Sequence, residues 1–365
     1  MNIILIILVF GVIIFFHELG HFIVAKINHI TVKEFSMGFG PKLFQFHKKE
    51  TQYTLRLIPL GGYCMMLSED DEENENDENS FEKKSIWARM AVVLAGPAMN
   101  FVIAFLFSMV IIHFCGSDPA IIGAVYNKDN IEKYQIKNAE EYFNGVYPAE
   151  EAGISDGDRV LKIEGSTVKN FRELQIYLQI YGDGSPIDLT LEKEDGTVYD
   201  TTVHPAKTPD GYKIGIMSVG FQLPEKFWEV CKYSAYETRY WVKATFLSLK
   251  LIVTRQVSSD EVSGPVGVAK NMNDTFNEAA KSSVLDLFLN WMNYIVLLSA
   301  NLGVMNLLPI PGLDGGRFIF LLIEAVTRKK VPKDKENIVT LIGFVLVMLL
   351  MVVILFNDIK NVFFH

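Results

Sequence analysis

Ile3-Ile4-Leu5-Ile6-Ile7-Leu8-Val9-Phe10-Gly11-Val12-Ile13-Ile14-Phe15-Phe16 runs without a charged side chain straight into His17-Glu18-Leu19-Gly20-His21. The run reads as a membrane-crossing helix that carries an HExxH motif. On a helix, residues four apart share a face, so His17 and His21 can point at one metal ion. Glu18 projects beside them, where a carboxylate can take a proton from a metal-held water. With seven histidines in 365 residues, chance supplies this motif roughly 0.01 times in a chain of this composition. Ionisable groups inside a membrane segment are costly, so their presence there points to function. A secretory leader is the competing reading of the segment. It lacks a basic n-region and a small-residue cleavage site after the apolar run.

Outward from this segment, apolar residues stay clustered. They make up 50% of the chain, and the mean hydropathy is +0.21. Four stretches are long enough to span a bilayer: about 3–25, 87–113, 287–313 and 338–357. The connection after the first carries Lys26, Lys33, Lys42, Lys48, Lys49, Arg56, Lys83 and Lys84. The connection after the third carries Arg328, Lys329, Lys330, Lys333 and Lys335. The positive-inside rule makes both cytosolic and turns the N-terminus, residues 114–286 and the C-terminal tail outward. HExxH then lies near the cytosolic end of its span, with 306–314 at a similar depth. The net charge of −9 argues against nucleic-acid binding. Much of it sits in Glu69–Asn79, which reads as a solvated acidic insert. Cys64, Cys115 and Cys231 form neither a CxxC pair nor a disulfide framework.

Catalytic zinc usually takes three protein ligands and a water. Two candidates for the third ligand stand open. Glu34 follows His21 by thirteen residues, as in a soluble zincin. Asp314 lies in Asn306-Leu307-Leu308-Pro309-Ile310-Pro311-Gly312-Leu313-Asp314-Gly315-Gly316, where prolines and glycines break a helix at membrane depth. Broken helices at that depth line sites or cavities.

HExxH in a first span with NxxPxxxLDGG in a later one resembles the site-2 protease family of intramembrane zinc metalloproteases. The likeness to its bacterial branch extends to Gly38-Phe39-Gly40-Pro41-Lys42, Leu60-Gly61-Gly62-Tyr63, Ala95-Gly96-Pro97-Ala98-Met99-Asn100-Phe101 and Ser263-Gly264-Pro265-Val266-Gly267. The resemblance implies His17, His21 and Asp314 as Zn2+ ligands and Glu18 as the catalytic glutamate. It implies Asn306 as the residue that holds the substrate backbone or the developing oxyanion. It also implies a single-span membrane-protein substrate, in some pathways already cut by another protease, such as an anti-sigma factor or a remnant signal peptide.

Residues 43–47 and 53–58 alternate apolar and polar side chains around His47–Gln52 and read as a β-hairpin. A transmembrane helix must unwind before hydrolysis, and an extended peptide can add to a sheet edge. Gly61, Gly62, Tyr53, Leu55 and Leu57 are therefore the candidate substrate-binding residues, and the resemblance implies a membrane-dipping sheet. Farther on, Pro148-Ala149-Glu150-Glu151-Ala152-Gly153 and Gly157-Asp158-Arg159-Val160-Leu161-Lys162-Ile163 resemble a PDZ core. Residues 126–145 are inserted where a short loop is usual. Such a domain either binds a peptide or sterically filters substrate ectodomains, and exclusion is the favoured expectation. Residues 225–255 read as amphipathic helix at the membrane interface, with an aromatic face.

The expected fold class is a polytopic α-helical membrane protein with about four transmembrane helices, a cytosolic membrane-associated β-hairpin and one extracytoplasmic PDZ-like α+β domain. The first span covers 1–27, and the cytosolic loop with hairpin and acidic insert covers 28–86. The second span covers 87–113, the PDZ-like domain 114–208, and amphipathic membrane-proximal helices 209–283. The third span with NxxPxxxLDGG covers 284–323, a basic cytosolic loop 324–337, the fourth span 338–357 and an outward tail 358–365. The expected activity is zinc-dependent endopeptidase in the cell membrane, with the site near the cytosolic side. Two rivals are a non-catalytic PDZ-containing membrane adaptor and a signal-anchored zincin that uses Glu34 on soluble substrates.

Overall fold

The structure is a computed structural model that describes residues 2–67, 77–128, 143, 145–181, 183–209, 211–254 and 264–364. The acidic insert at 69–76, insertion residues 129–142 and 144, and Ser263 lie outside the described residues. The chain begins α1 (Asn2–Ile27), β1 (Val32–Lys48), β2 (Thr51–Met66), α2 (Ile86–Cys115) and β3 (Ile122–Val125). It continues α3 (Pro148–Glu151), β4 (Arg159–Ile163), β5 (Ser166–Thr167), α4 (Phe171–Ile180), β6 (Ile187–Glu192), β7 (Val198–Val203), β8 (Ala206–Thr208), β9 (Gly211–Lys213) and β10 (Ile216–Ser218). It ends α5 (Phe227–Val253), α6 (Pro265–Ser282), α7 (Val284–Asn306), α8 (Asp314–Thr327) and α9 (Lys333–Phe364). Two compact units divide these elements. One is Met1–Ser108 with Trp241–His365, and the other is Met109–Tyr240.

The first unit combines long helices with the β1–β2 hairpin. Among the described residues, Asn2–Ile27, Ile86–Cys115, Val284–Asn306 and Asp334–Lys360 are long and apolar enough to cross a membrane. The chain is thus a polytopic membrane protein with added β-structure. Val9, Ile13, Ile103, Met272, Phe276 and Ile295 form a core that joins α1 and α2 to α6 and α7. α1 crosses α2 where Gly20 meets the Ala95 carbonyl, an approach that only a small residue permits. Asp358 of α9 is buried and accepts from the backbone N–H groups of Gly264, Val266 and Gly267. It thereby caps the start of α6 from a distant helix.

The hairpin is much longer than the strands expected at 43–47 and 53–58. Its strands close at Lys48↔Thr51 and reach back to Val32↔Met66. Both strands bend at glycines with positive φ, Gly38, Gly40 and Gly61, so register slips there instead of ending. Residues 34–37 consequently pair twice, with 52–55 on one side and with 62–65 on the other. The result is a small curled sheet ordered 42–48, 51–56, 34–37, 62–66. Phe44 faces Leu55 and Phe46 stacks on Tyr53 at 4.9 Å. Phe44, Phe46, Leu55 and Leu57 remain exposed. Directly opposed residues share a face, so this face is apolar, while Gln45, His47, Gln52 and Thr54 occupy the other.

In the second unit a sheet ordered β5-β4-β6-β7 packs under α4. β6 alternates cleanly: Ile187, Leu189 and Leu191 are buried against Val160, Ile163 and Leu174. α4 starts at Asn170, whose side chain accepts from Glu173 N–H, while the Glu173 carboxylate accepts from Lys169 N–H. β10 pairs with β3, so sheet structure in this unit continues to Ser218.

Candidate metal centre

The buried face of α1 carries His17 and His21, 8% and 9% exposed. Their Nε2 atoms lie 3.3 Å apart. Asp314 Oδ2 lies 3.3 Å from His17 Nε2 and 3.5 Å from His21 Nε2. Among the described residues these three side chains form the group able to hold a metal ion. A tetrahedral zinc with bonds of about 2.0–2.1 Å places its ligand atoms about 3.3–3.4 Å apart, so the donor set has the right edge lengths. Asp314 Oδ2 is buried without a hydrogen-bond partner, an oxygen that a cation would satisfy. The N, N, O donor set also suits zinc.

The far nitrogens of both imidazoles are held. His21 Nδ1 donates to the Val92 carbonyl at 2.8 Å. Pro97, inside α2, lacks the N–H that would otherwise bond the carbonyl of Val93, the residue after Val92. His17 Nδ1 lies 3.1 Å from the Asn100 side-chain amide. Asn100 is fully buried and its Oδ1 has no partner in the assigned orientation. Rotating the amide by 180° lets Oδ1 accept from His17 Nδ1–H, which satisfies that oxygen and frees His17 Nε2 as a lone-pair donor.

Asp314 opens α8, where the helix dipole favours a carboxylate. Between α7 and α8 the chain turns through Gly312 (φ +97). A Cβ on Gly315 would meet the Leu308 carbonyl at 2.2 Å, which explains why small residues follow Asp314. At the other end of α8, Glu324 grips the buried Arg89 of α2 with two hydrogen bonds, 2.5 and 3.0 Å. Between these points Leu321 belongs to one apolar cluster with α2 residues Met90, Val92 and Val93, and Phe318 packs against that cluster. The third candidate ligand is therefore held by its own helix against the helix that orients His21.

A cavity of about 430 Å³ opens beside the three side chains. His17, Glu18, His21, Tyr63, Cys64 and Asp314 are among its lining residues. Gly62 sits over Glu18: a Cβ there would lie 3.2 Å from Glu18 Cγ. Asn306 ends α7 with its amide nitrogen 3.4 Å from His17 Nε2. The hairpin residues divide. Gly62 lies beside Glu18, although it is outside the cavity lining. Gly61, Tyr53, Leu55 and Leu57 are outside that lining as well, and Tyr53 pairs with both Phe35 and Phe46. Glu34 is elsewhere. Burial alone would raise its carboxyl, but hydrogen bonds from Thr54, Tyr63 and Arg56 outweigh burial and hold it below the usual range. Asn100, Gly96 and Arg317, which lines the cavity, were not singled out as site residues by sequence. A polar Asn100 inside an apolar span was the one available signal.

The profile of peptidase family M50 matches residues 5–350. A protein of Clostridium acetobutylicum whose name carries the words zinc metalloprotease is 38% identical over 360 residues, covering 98% of this chain and 97% of that one. Zinc metalloprotease RasP of Geobacillus kaustophilus is 32% identical over 99% of this chain and 98% of its own. The Bacillus subtilis regulator of sigma-W protease RasP is 29% identical over 98% of both chains. With alignment running end to end through every helix that carries the candidate centre, the chain belongs to peptidase family M50, the site-2 protease family.

Proposed function

We propose that this protein is a zinc-dependent endopeptidase that hydrolyses peptide bonds within or beside the transmembrane segment of membrane proteins. The observation that carries the reading is the convergence of His17, His21 and Asp314 at tetrahedral-edge distances beside Glu18, on helices apolar enough to cross a bilayer. Zinc, when bound by these three residues, polarises the scissile carbonyl and acidifies a water. The Glu18 carboxylate takes the proton of the attacking water and delivers it to the leaving amide nitrogen. The Asn306 amide donates to the substrate backbone or to the oxygen that gains charge. Asn100 and the Val92 carbonyl fix the two imidazole planes.

The curled sheet supplies a way to hold an unwound substrate. Tyr53 and Leu55 belong to a segment with neighbours on both sides, so their backbone cannot accept a further strand. Residues 62–66 pair only with β1 among the described residues, and Tyr63, Cys64 and Met65 line the cavity beside Glu18. Strand addition therefore belongs to 62–66, while Tyr53, Leu55 and Leu57 serve the apolar face that meets the bilayer. The basic connections favour a site near the cytosolic side with both termini outside. The Met109–Tyr240 unit reads as a PDZ-like domain. A groove of about 580 Å³ between α4 and the 211–216 segment, lined by Phe171, Leu178, Ile187 and Ile216, supports peptide capture alongside filtering by bulk. The substrates proposed are single-span regulators of the anti-sigma type and remnant signal peptides, before or after a first cut by another protease.

The test is cleavage of a tagged single-span substrate by the purified chain in lipid vesicles. Stripping zinc with a chelator is expected to stop cleavage, and added zinc to restore it. Mass spectrometry is expected to place the cut within or beside the span. A cut confined to soluble loops, or unaffected by chelation, rejects the reading. Asn100→Ala is expected to weaken zinc retention about 10–100-fold in chelator competition. Asn100→Asp, which keeps an acceptor, is expected to lose less; equal affinity in both variants and wild type removes Asn100 from the site.

A further inference from the structure

The second unit carries an apolar patch that neither its core nor the catalytic reading uses. No charged side chain occurs from Ile214 to Pro224. Ile214 and Ile216 serve the core, but Val219, Phe221 and Leu223 are exposed, Leu223 at 67%. Phe227 and Trp228, the first residues of α5, continue the exposure, Phe227 at 73%. Large side chains packed so closely in sequence are an unusual solvent face.

Their position in the fold says what covers them. The Ser117 N–H donates to the Gln222 carbonyl, and the Gln222 N–H donates to the Ser117 carbonyl. Gly116 presses on the same segment, since a Cβ there would lie 2.5 Å from the Gln222 carbonyl and 3.1 Å from the Leu223 nitrogen. Gly116 and Ser117 directly follow Cys115, where the apolar helix α2 ends. Gln222, between Phe221 and Leu223, is thus tied by hydrogen bonds to the residue two positions beyond the end of α2, a helix long and apolar enough to cross a bilayer. Phe114 in the last turn of α2 is exposed as well. The polar neighbours fit a lipid headgroup layer. Lys232 lies 5.6 Å from the Trp228 ring centroid, 5.5 Å from Tyr233 and 5.8 Å from Tyr236. Aromatic rings with a basic side chain among them are the composition found at membrane interfaces.

We propose that Val219, Phe221, Leu223, Phe227 and Trp228 form a lipid-contacting foot that seats the Met109–Tyr240 unit in the headgroup and upper acyl layer of the bilayer crossed by α2. The inference rests on α2 crossing a bilayer and is independent of the catalytic assignment. The occupant is the protein's own membrane. A substrate segment or partner protein on this face is the competing occupant.

The test uses the full chain in phosphatidylethanolamine–phosphatidylglycerol vesicles. Cys64, Cys115 and Cys231 are replaced by serine, and nitroxide labels are placed singly at 221, 223 and 227. The exposed Val198 of β7, in the same unit but outside the patch, carries the aqueous control label. A label on native Cys115, with the other two cysteines replaced, marks the end of α2. Labels at 221, 223 and 227 are expected to collide more with oxygen than with a water-soluble nickel chelate, at a depth close to that of Cys115, while 198 shows the reverse. Aqueous behaviour at all three sites overturns the proposal. Shielding from both reagents also overturns it, because protein then covers the patch. A helical circular dichroism spectrum equal to that of the unlabelled wild-type chain establishes for each labelled chain that the fold is intact.

Discussion

Glu18→Gln is expected to keep a full equivalent of zinc and to lower substrate cleavage by about 10²–10⁴-fold, the usual contribution of a positioned acid–base group. Asp314→Ala is expected to lose the zinc itself, and Glu34→Ala is expected to keep it. The contrast follows from position. Asp314 Oδ2 sits within 3.5 Å of both imidazole nitrogens, whereas the Glu34 carboxylate is occupied by Arg56 at 3.1 Å on the hairpin. Metal analysis of the purified variants, beside a cleavage assay, reads all three. Zinc kept by Asp314→Ala and lost by Glu34→Ala would favour a soluble-type zincin hung from a membrane anchor. Cleavage left intact by Glu18→Gln would remove the proton-transfer role. A wild-type chain that binds no zinc and cuts nothing would leave a peptide-binding adaptor.

The long helices were legible because hydropathy is a one-dimensional signal. Fourteen uncharged residues before His17 need no tertiary knowledge to be read as a span. In the second unit the strand at Ile187–Glu192 was equally plain, since alternate burial writes itself into a period of two. The hairpin was read too short for a physical reason. Gly38, Gly40, Pro41, Pro59 and Gly61 look like strand ends, but here positive-φ glycines bend strands that continue on both sides. The spacing of His17 and His21 announced a metal site, yet nothing local in the sequence joins them to Asp314, 293 positions after His21. That link is tertiary: α8 lies on α2 through Phe318, Leu321 and the Arg89–Glu324 pair. The roles of Asn100 and Gly96 were not legible in the sequence, because they depend on which helix α2 faces.

Gly96 shows how tightly that face is drawn, and its replacement is the second large effect expected. A Cβ on Gly96 would lie 2.3 Å from His21 Nε2, 2.6 Å from His21 Cε1 and 2.7 Å from His17 Cε1. Real Cβ contacts do not come this close, so Gly96→Ala must push both imidazoles or separate α1 from α2. Rotating the imidazoles away breaks the His21–Val92 and His17–Asn100 contacts. Separating the helices also gives up the Gly20–Ala95 crossing, where the packing is just as close. Overpacking of this kind costs about 1–3 kcal/mol of stability, which long apolar helices in a bilayer can absorb. The centre cannot, because a displaced ligand loses more than the roughly 10–100-fold that a lost orienting partner costs. Gly96→Ala is therefore expected to retain helical circular dichroism and membrane insertion while losing zinc at chelator concentrations that wild type withstands. Zinc affinity equal to wild type would mean that α1 and α2 do not meet at Gly96 as described. Loss of both zinc and helicity would call for Gly96→Ser: the same Cβ clash then predicts the same zinc loss in whatever folded fraction survives. Normal zinc binding in that fraction would be decisive against the steric account.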